Sequence, residues 1–190
     1  MTQTPLQCAC QRRQLLRLAG LAALGSIGAL GGVVGCSEQG GSAQVSLAPV
    51  EIDRSTSCEL DGMLLSDYPG PKAQVHYAGQ AQPVFFCDTV ELFNTLLAGE
   101  QVRAVKAVYV QDMGKADWDQ PTGNWIDAKT GIYVLGSKRH GSMGPTIGSF
   151  AQEADAKKFA GEYGGKVLRF AEITPAMVDL SGGALHDTRM

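Results

Sequence analysis

Basic runs, catalytic signatures and clustered metal ligands are all scarce in this chain of 190 residues. No glycine-rich turn joins a predicted strand to a helix, which excludes a dinucleotide-binding Rossmann fold. No G-x-S-x-G segment occurs, and the histidines have no obvious nucleophile partner, so hydrolase chemistry is unsupported. The three histidines (His76, His140 and His186) are also too widely separated for a recognisable zinc pattern. The chemistry must therefore rest on other side chains.

Acidic residues are missing from the N-terminal segment, where the first is Glu38. A basic cluster at Arg12 and Arg13 precedes a mostly apolar stretch from Leu15 to Gly35, which is typical of an export signal over residues 1–35. A retained transmembrane helix is the alternative, because the stretch is long enough to span a bilayer. The basic cluster also resembles the twin-arginine export pattern. This route and the general secretory route both predict a protein on the oxidising side of the inner membrane.

The apolar stretch ends at Cys36, which follows a small residue. This arrangement resembles the bacterial lipobox, and by that resemblance Cys36 would be acylated and become the first residue of the mature chain. Residues 36–47 are small and polar and predict a flexible tether, which leaves residues 48–190 as one folded domain. Ser37 favours retention in the outer membrane under the usual sorting rule. The expected location is therefore the periplasmic side, anchored by lipid.

Removal of residues 1–35 leaves 13 Lys and Arg against 19 Asp and Glu, a net charge of −6. An acidic chain without basic clusters predicts no nucleic-acid partner. Two cysteines leave with the signal and Cys36 would carry lipid, so Cys58 and Cys87 are the remaining thiols. Two thiols are too few for a disulfide scaffold or for a four-thiolate zinc site.

The order of predicted elements favours an α+β fold with two strand-strand-helix-strand units, at about 48–115 and 116–175, followed by a C-terminal tail. The helices are expected to pack on small antiparallel or mixed sheets. The predicted strands of the first unit are residues 72–77, 83–87 and 102–113. The predicted strands of the second unit are residues 125–127, 131–136 and 166–173.

Helix boundaries are also predicted from the sequence. Asp88 and Glu91 have the spacing of a capping box that opens the first helix, and Gly99 ends it. The second helix is predicted over residues 152–163 from its amphipathic pattern. In the second unit, the first two strands are expected to pair with each other across residues 128–130.

The segment Cys58-Glu59-Leu60-Asp61-Gly62-Met63 places a thiol and a thioether five residues apart, and these side chains select copper(I) over harder ions. Neither an extended strand nor a helix brings residues five apart to one ion. Asp61-Gly62 supplies the necessary bend, because Gly tolerates positive φ and Asp bonds its own turn. A buried cysteine beside a core methionine is the alternative interpretation.

A third soft ligand has several candidates. Met143 lies in a predicted loop, Gly141-Ser142-Met143-Gly144-Pro145, where no core pattern requires a methionine. Met113 and Met177 lie in apolar segments and fit core roles better. His140 and His76 stay open as additional ligands.

Two consecutive segments, CELDGM and DYPGPKAQ, resemble the signature of the NosL family, periplasmic lipoproteins accessory to nitrous oxide reductase. Further matches are WDQPTGNWIDAKTGIYVLGS, the GSMGP loop and SFAQEADAKKFAGEYGGKVLRF, so the resemblance extends from about Val50 to Ile173. The family implies a copper(I) chaperone, not an enzyme, which passes copper to an ABC-transporter complex that matures the copper–sulfide centre of nitrous oxide reductase. It also implies two strand-strand-helix-strand units.

By this resemblance, the copper ligands are Cys58, Met63 and Met143, while Asp61 and Gly62 shape the turn. Related sequences often carry a second cysteine where Asp61 stands here. That departure excludes a CxxC dithiol site and places more weight on the thioethers.

Cys87 follows an apolar strand and is interpreted as a buried structural thiol. A disulfide between Cys58 and Cys87 is the competing hypothesis, since the compartment permits it. It would make the protein a periplasmic thiol-redox protein and would prevent Cys58 from binding copper. Met63 separates the two hypotheses, because a copper site depends on it and a disulfide pair does not.

Overall fold

The structure is a computed structural model that describes residues 46–100 and 102–180. These residues form seven strands and two α-helices in the order β-β-α-β-β-β-β-α-β, together with short 3₁₀ turns. The elements are β1 (Ala73–Tyr77), β2 (Val84–Phe86), α1 (Thr89–Leu97), β3 (Val105–Gln111), β4 (Trp125–Asp127), β5 (Ile132–Gly141), β6 (Gly144–Phe150), α2 (Glu153–Tyr163) and β7 (Lys166–Arg169). The predicted α+β class is confirmed.

Two antiparallel sheets make up the domain, with strand orders β2-β1-β3-β4 and β6-β5-β7. Helix α2 packs against all three strands of the second sheet, whereas α1 contacts β1 and β2 of the first sheet and β6 of the second. The main core lies between these layers and includes Val75, Leu92, Phe93, Tyr133 and Ile147. Because this core draws on both sheets, α1 has a fixed position between them.

The ends of both helices follow the sequence signals. The carboxylate of Asp88 accepts a hydrogen bond from the Val90 amide (2.8 Å), which satisfies one of the free N–H groups at the start of α1. Gly164, with φ of +77°, ends α2 in a conformation that favours glycine. The predicted start of α1 is therefore confirmed, although Glu91 makes a different contact from the one a capping box requires.

The predicted pairing of residues 125–127 with residues 131–136 is wrong. Strand β4 pairs with β3 in the first sheet, and residues 128–130 form a 3₁₀ turn. The Asp127 carboxylate accepts from the Lys129 amide (2.8 Å) and stabilises that turn, which directs the chain out of the first sheet. The second strand-strand-helix-strand unit is instead β5-β6-α2-β7.

Strand β6 was not predicted, because its sequence starts with Gly-Pro and lacks clear alternation. It pairs with β5 from Ile132↔Phe150 to Gly141↔Gly144, so residues 141–144 are the turn of a long hairpin and not an open loop. The last predicted strand is shorter than expected: β7 ends at Arg169 and a 3₁₀ turn follows.

The predicted export signal, the lipidation site Cys36 and most of the tether lie outside the described residues. Within the described ranges, no helix is long and apolar enough to cross a membrane. Ser46 and Leu47 are exposed, and the Leu47 carbonyl accepts from the Tyr109 hydroxyl (2.9 Å). Leu47, next to the predicted boundary at residue 48, is thus in contact with β3.

Candidate metal site

The segment from Cys58 to Met63 folds into the predicted bend. The Cys58 amide donates to the Met63 carbonyl (2.9 Å), and the Gly62 amide donates back to the Cys58 carbonyl (3.0 Å). Gly62 has φ of +74°, and the Asp61 carboxylate accepts from the Met63 amide (2.9 Å). Asp61 and Gly62 thus both take part in forming the turn. The backbones of Cys58 and Met63 are thus paired across this turn.

The bend is docked on the first sheet. The Glu59 amide donates to the carbonyl of Phe85 in β2 (2.8 Å), which fixes the loop beside the end of that strand. Cys58 is 4% exposed and packs in a small cluster with Leu65 and Cys87. The thiol that the sequence singles out is thus held against the junction between β2 and α1.

A second thiol and a carboxylate complete this junction. The Sγ atoms of Cys58 and Cys87 each donate to the same oxygen, Oε2 of Glu91, at 3.2 Å. Oδ2 of Asp61 lies 3.8 Å from the Cys87 sulfur. One ligand atom from each of these four residues lies within 4.8 Å of all the others. The described part of the chain therefore contains a compact cluster of two sulfurs and two carboxylates, which we call the junction cluster.

Both thiols of the junction cluster are free, so no disulfide joins them. A hydrogen bond from the Cys87 thiol lowers the pKa of Cys58 against the opposing effect of burial. The same hydrogen bond, together with burial and the nearby Glu91, raises the pKa of Cys87. The thiolate is the form of cysteine that binds metal.

A buried lysine ties the cluster to the second sheet. Lys72 is fully buried, and its ammonium donates to the carbonyls of Pro69 (2.9 Å) and Cys87 (3.0 Å) and to Oγ of Ser142 (2.9 Å). Burial lowers the pKa of Lys72 to about 8, although the carboxylate of Asp88 acts in the opposite direction. Lys72 thus places a positive charge near Asp88, Glu91 and the two thiols.

The β5–β6 turn carries Met143 and is held beside Cys87. Ser142 Oγ lies 2.5 Å from the Cys87 carbonyl, and Thr146 Oγ1 donates to the Asp88 carboxylate (2.6 Å). Gly141 lies directly against that carboxylate, so a larger residue there would overlap with it. Met143 itself is 55% exposed at the tip. Three segments thus meet here: the bend, the start of α1 and the β5–β6 turn.

The other candidate ligands occupy different places. Met113 is buried in a separate cluster around α2, and Met177 packs against the main core, so both have the core positions expected for them. His140 is exposed in β5 and its carbonyl accepts from the Trp118 indole, whereas His76 is buried with its ring edge-on to Tyr109. Neither imidazole belongs to the junction cluster. Met63 is half-buried.

The sequence pairs Cys87 with Cys58 only as a competing disulfide hypothesis, and it does not indicate Glu91 as a member of the site. Cys87 is buried as predicted, but its sulfur faces Cys58 instead of only filling the core. Glu91 bonds to the two thiols and not to the start of the helix. The available signal was their spacing of four residues at the start of a helix, which brings side chains together.

Comparison with known proteins places the fold and the sequence in one family. The NosL family profile matches residues 49–178. The copper-binding lipoprotein NosL of Stutzerimonas stutzeri is 40% identical over 162 residues, which cover 82% of this chain and 83% of that protein. The copper-binding lipoprotein NosL of Achromobacter cycloclastes is 39% identical over 137 residues, covering 70% and 71%. The crystal structure of the copper chaperone NosL from Shewanella denitrificans matches with a TM-score of 0.65 at 42% identity, covering 68% of this chain and 97% of that one.

Proposed function

Because this chain belongs to the NosL family, we propose that it carries copper(I) as cargo on a sulfur site centred on Cys58, and that it is a carrier and not an enzyme. The observation that carries this proposal is the bend that pairs the backbones of Met63 and Cys58. A thiolate beside a thioether is a donor set that favours copper(I) over zinc or harder ions. The lowered pKa of Cys58 makes the thiolate available for binding.

The proposed ligands are Cys58, Met63 and, from the β5–β6 turn beside Cys87, Met143. Met63 is half-buried and Met143 is exposed, so the thioether side of the site is open to solvent. An incoming ligand from a partner has access from this side, while Cys58 is covered from behind by the protein. Such an arrangement supports transfer of the ion, because the new bond forms before the last old one breaks.

The proposed destination is the copper–sulfide centre of nitrous oxide reductase. The expected partners are an ABC-transporter complex that takes part in maturation and the reductase itself, reached directly or through that complex. The net charge of −6 for residues 36–190 favours docking on a basic or polar partner surface. A lipid on Cys36 would keep the carrier at the membrane on the periplasmic side, in the outer membrane under the usual sorting rule.

Anaerobic titration of the reduced protein with copper(I), in competition with a chromophoric chelator, tests the binding step. We expect one ion per chain in the wild type, no competitive binding in Cys58→Ser and weaker binding in Met63→Leu. Met177→Leu is the matched control, since it makes the same thioether deletion in the core and should leave binding unchanged. Binding that survives both Cys58→Ser and Met63→Leu would overturn the proposal.

Delivery needs a separate test in cells. A strain without this protein should produce nitrous oxide reductase with a deficient copper–sulfide centre, and the wild-type gene should restore it whereas Cys58→Ser should not. Normal copper content in the deletion strain at limiting copper would rule out the proposed destination but not copper binding.

The proximity of the two free sulfurs favours a second candidate function, a thiol-redox protein that uses Cys58 and Cys87 as a reversible pair. The chain lacks the CxxC arrangement of typical thiol oxidoreductases. Met63→Leu discriminates between the two functions: it should weaken a copper site, and it should leave the redox equilibrium of a cysteine pair unchanged.

A further inference from the structure

The junction cluster has one sulfur that the proposed copper site does not use. We propose that Cys87 is a second thiolate ligand, so that copper(I) is held between Cys58 and Cys87 where β2 meets α1. This inference rests on the proposed function and adds a residue to its site. Copper(I) then has two bound states that both use Cys58. In the inner state the other ligand is Cys87, and in the outer state the other ligands are the thioethers of Met63 and Met143.

The positions of the two sulfurs support this assignment. They bond to one oxygen of Glu91 and lie within 4.8 Å of each other. Metal–thiolate bonds of about 2.3 Å place two sulfurs on opposite sides of one ion about 4.6 Å apart. A bent S–Cu–S angle brings the two sulfurs closer than this, so one ion can contact both of them at a separation within 4.8 Å.

The supporting groups are already arranged around the pair. The shared bond to Glu91 aims both sulfurs at the same space, and the ammonium of Lys72, which donates to the Cys87 carbonyl, offsets negative charge there. Carboxylates are hard ligands that suit copper(I) poorly, so Glu91 and Asp61 position the sulfurs and do not replace them. The cluster thus favours a soft two-sulfur site.

The binding step is a ligand exchange without oxidation. Copper(I) forms two copper–sulfur bonds, two S–H bonds break, and two protons leave to solvent, so the copper stays in its +1 state throughout. Cys87 is fully buried whereas Met143 is exposed. The inner state therefore protects the ion from solvent, and movement toward the thioethers makes it accessible to a partner.

The decisive experiment counts sulfur neighbours by X-ray absorption on the lipid-anchored protein from Cys36 onward, purified in detergent, reduced, and loaded with one equivalent of copper(I), because the signal segment carries two further thiols. The Met63→Leu/Met143→Leu double variant leaves Cys58 and Cys87 as the sulfur donors in the three segments of the site. Two sulfur neighbours in this variant establish Cys87 as a ligand. One sulfur neighbour overturns the inference and leaves the proposed function intact.

Affinity measurements provide a second, independent arm. Cys87→Ser and Cys87→Ala should each bind copper(I) at least tenfold more weakly than the wild type. Val90→Ala is the matched control, because Val90 packs at the same turn of α1 but lies outside the cluster. Affinity in either folded Cys87 variant equal to that of Val90→Ala would overturn the inference. Absence of binding in the wild type would instead refute the proposed function.

Discussion

The two strand-helix junctions of this domain have the same order of elements but very different contents. At the first, Cys87 and Asp88 precede α1, the Asp88 side chain caps the helix, and Glu91 bonds to two thiols. At the second, Ala151 and Gln152 precede α2, and the Gln152 side chain makes no capping bond. Only the first junction therefore offers ligands to a soft metal ion.

Burial distinguishes the two helices in the same way. Leu92 and Phe93 of α1 are fully buried between the sheets, whereas Ala156 is the fully buried residue of α2. Helix α2 directs charged groups to solvent, where Glu153 pairs with Lys157 (2.8 Å) and with Arg169 (2.5 Å). Such exposed pairs contribute little to stability.

This difference shows how a site gains a fixed geometry. Helix α1 contacts both sheets, and the groups at its N-terminus are linked to Lys72, the residue before β1, and to Thr146 in β6. Groups placed there keep their positions relative to three segments of the chain. A carrier that must bind an ion tightly and then release it benefits from a fixed side and an open side, and α1 provides the fixed one.

Truncation of one aromatic ring in each helix gives the largest expected effect. Phe93 of α1 is 1% exposed and packs on Tyr133 and Phe170, whereas the ring of Phe159 in α2 is only partly buried. We expect Phe93→Ala to lower the free energy of unfolding by about 4 kcal/mol and Phe159→Ala by about 2 kcal/mol. Urea denaturation measures these losses, provided that the unfolding free energy of both variants depends equally on urea concentration. Equal losses would contradict the assignment of the main core to α1.

The buried cap of α1 should give a pH dependence of intermediate size. Burial raises the pKa of Asp88 to about 6, against an ordinary value of 3.8, with the hydrogen bond from Thr146 acting in the opposite direction. Because the folded protein holds this proton more tightly, the contribution of Asp88 to stability is fully present below pH 3.8. It is lost as the pH rises through 6.

Asp88→Asn keeps a good capping side chain but cannot titrate. Relative to Asp88→Asn, the wild type should therefore lose about 2 kcal/mol of unfolding free energy between pH 4 and pH 7. Urea denaturation at a series of pH values measures it. A difference that stays constant over this range would show that Asp88 has an ordinary pKa in the folded protein.

Local features of this fold were predictable from the sequence. The bend at Asp61-Gly62, the cap at Asp88 and the end of α2 at Gly164 each depend on residues that are neighbours in the chain. The pairing of β4 with β3 was not predictable from the sequence. Residues 128–130 are compatible both with a hairpin turn and with the 3₁₀ turn that Asp127 stabilises. Strand β6 was not predictable from its composition, because it is a strand only through its pairing with β5.

In the candidate site, too, the local contacts were predictable from the sequence and the long-range contacts were not. Cys58 and Met63 were identified together because a local turn joins them. The contact from Cys58 to Glu91 spans 33 positions and depends on docking of the bend on β2, which no local pattern reveals. Cys87 therefore received a structural interpretation, and the ligand roles of Met63 and Met143 stay predictions that binding experiments must test.

The smallest expected effect concerns the exposed thioether, and it compares the first junction with the core under α2. Met143 lies at the tip of the turn whose Ser142 bonds to Cys87, whereas Met113 is buried beside Phe150. We expect Met143→Leu to weaken copper(I) binding roughly tenfold, about 1.4 kcal/mol, without a change in stability. Met113→Leu, which conserves volume, should cost less than about 1.5 kcal/mol of stability and leave copper binding unchanged. Chelator competition and urea denaturation on both variants separate the effects. Should Met143→Leu bind copper(I) as tightly as Met113→Leu does, the thioether at the tip is not a ligand, and the open side of the site consists of Met63 alone.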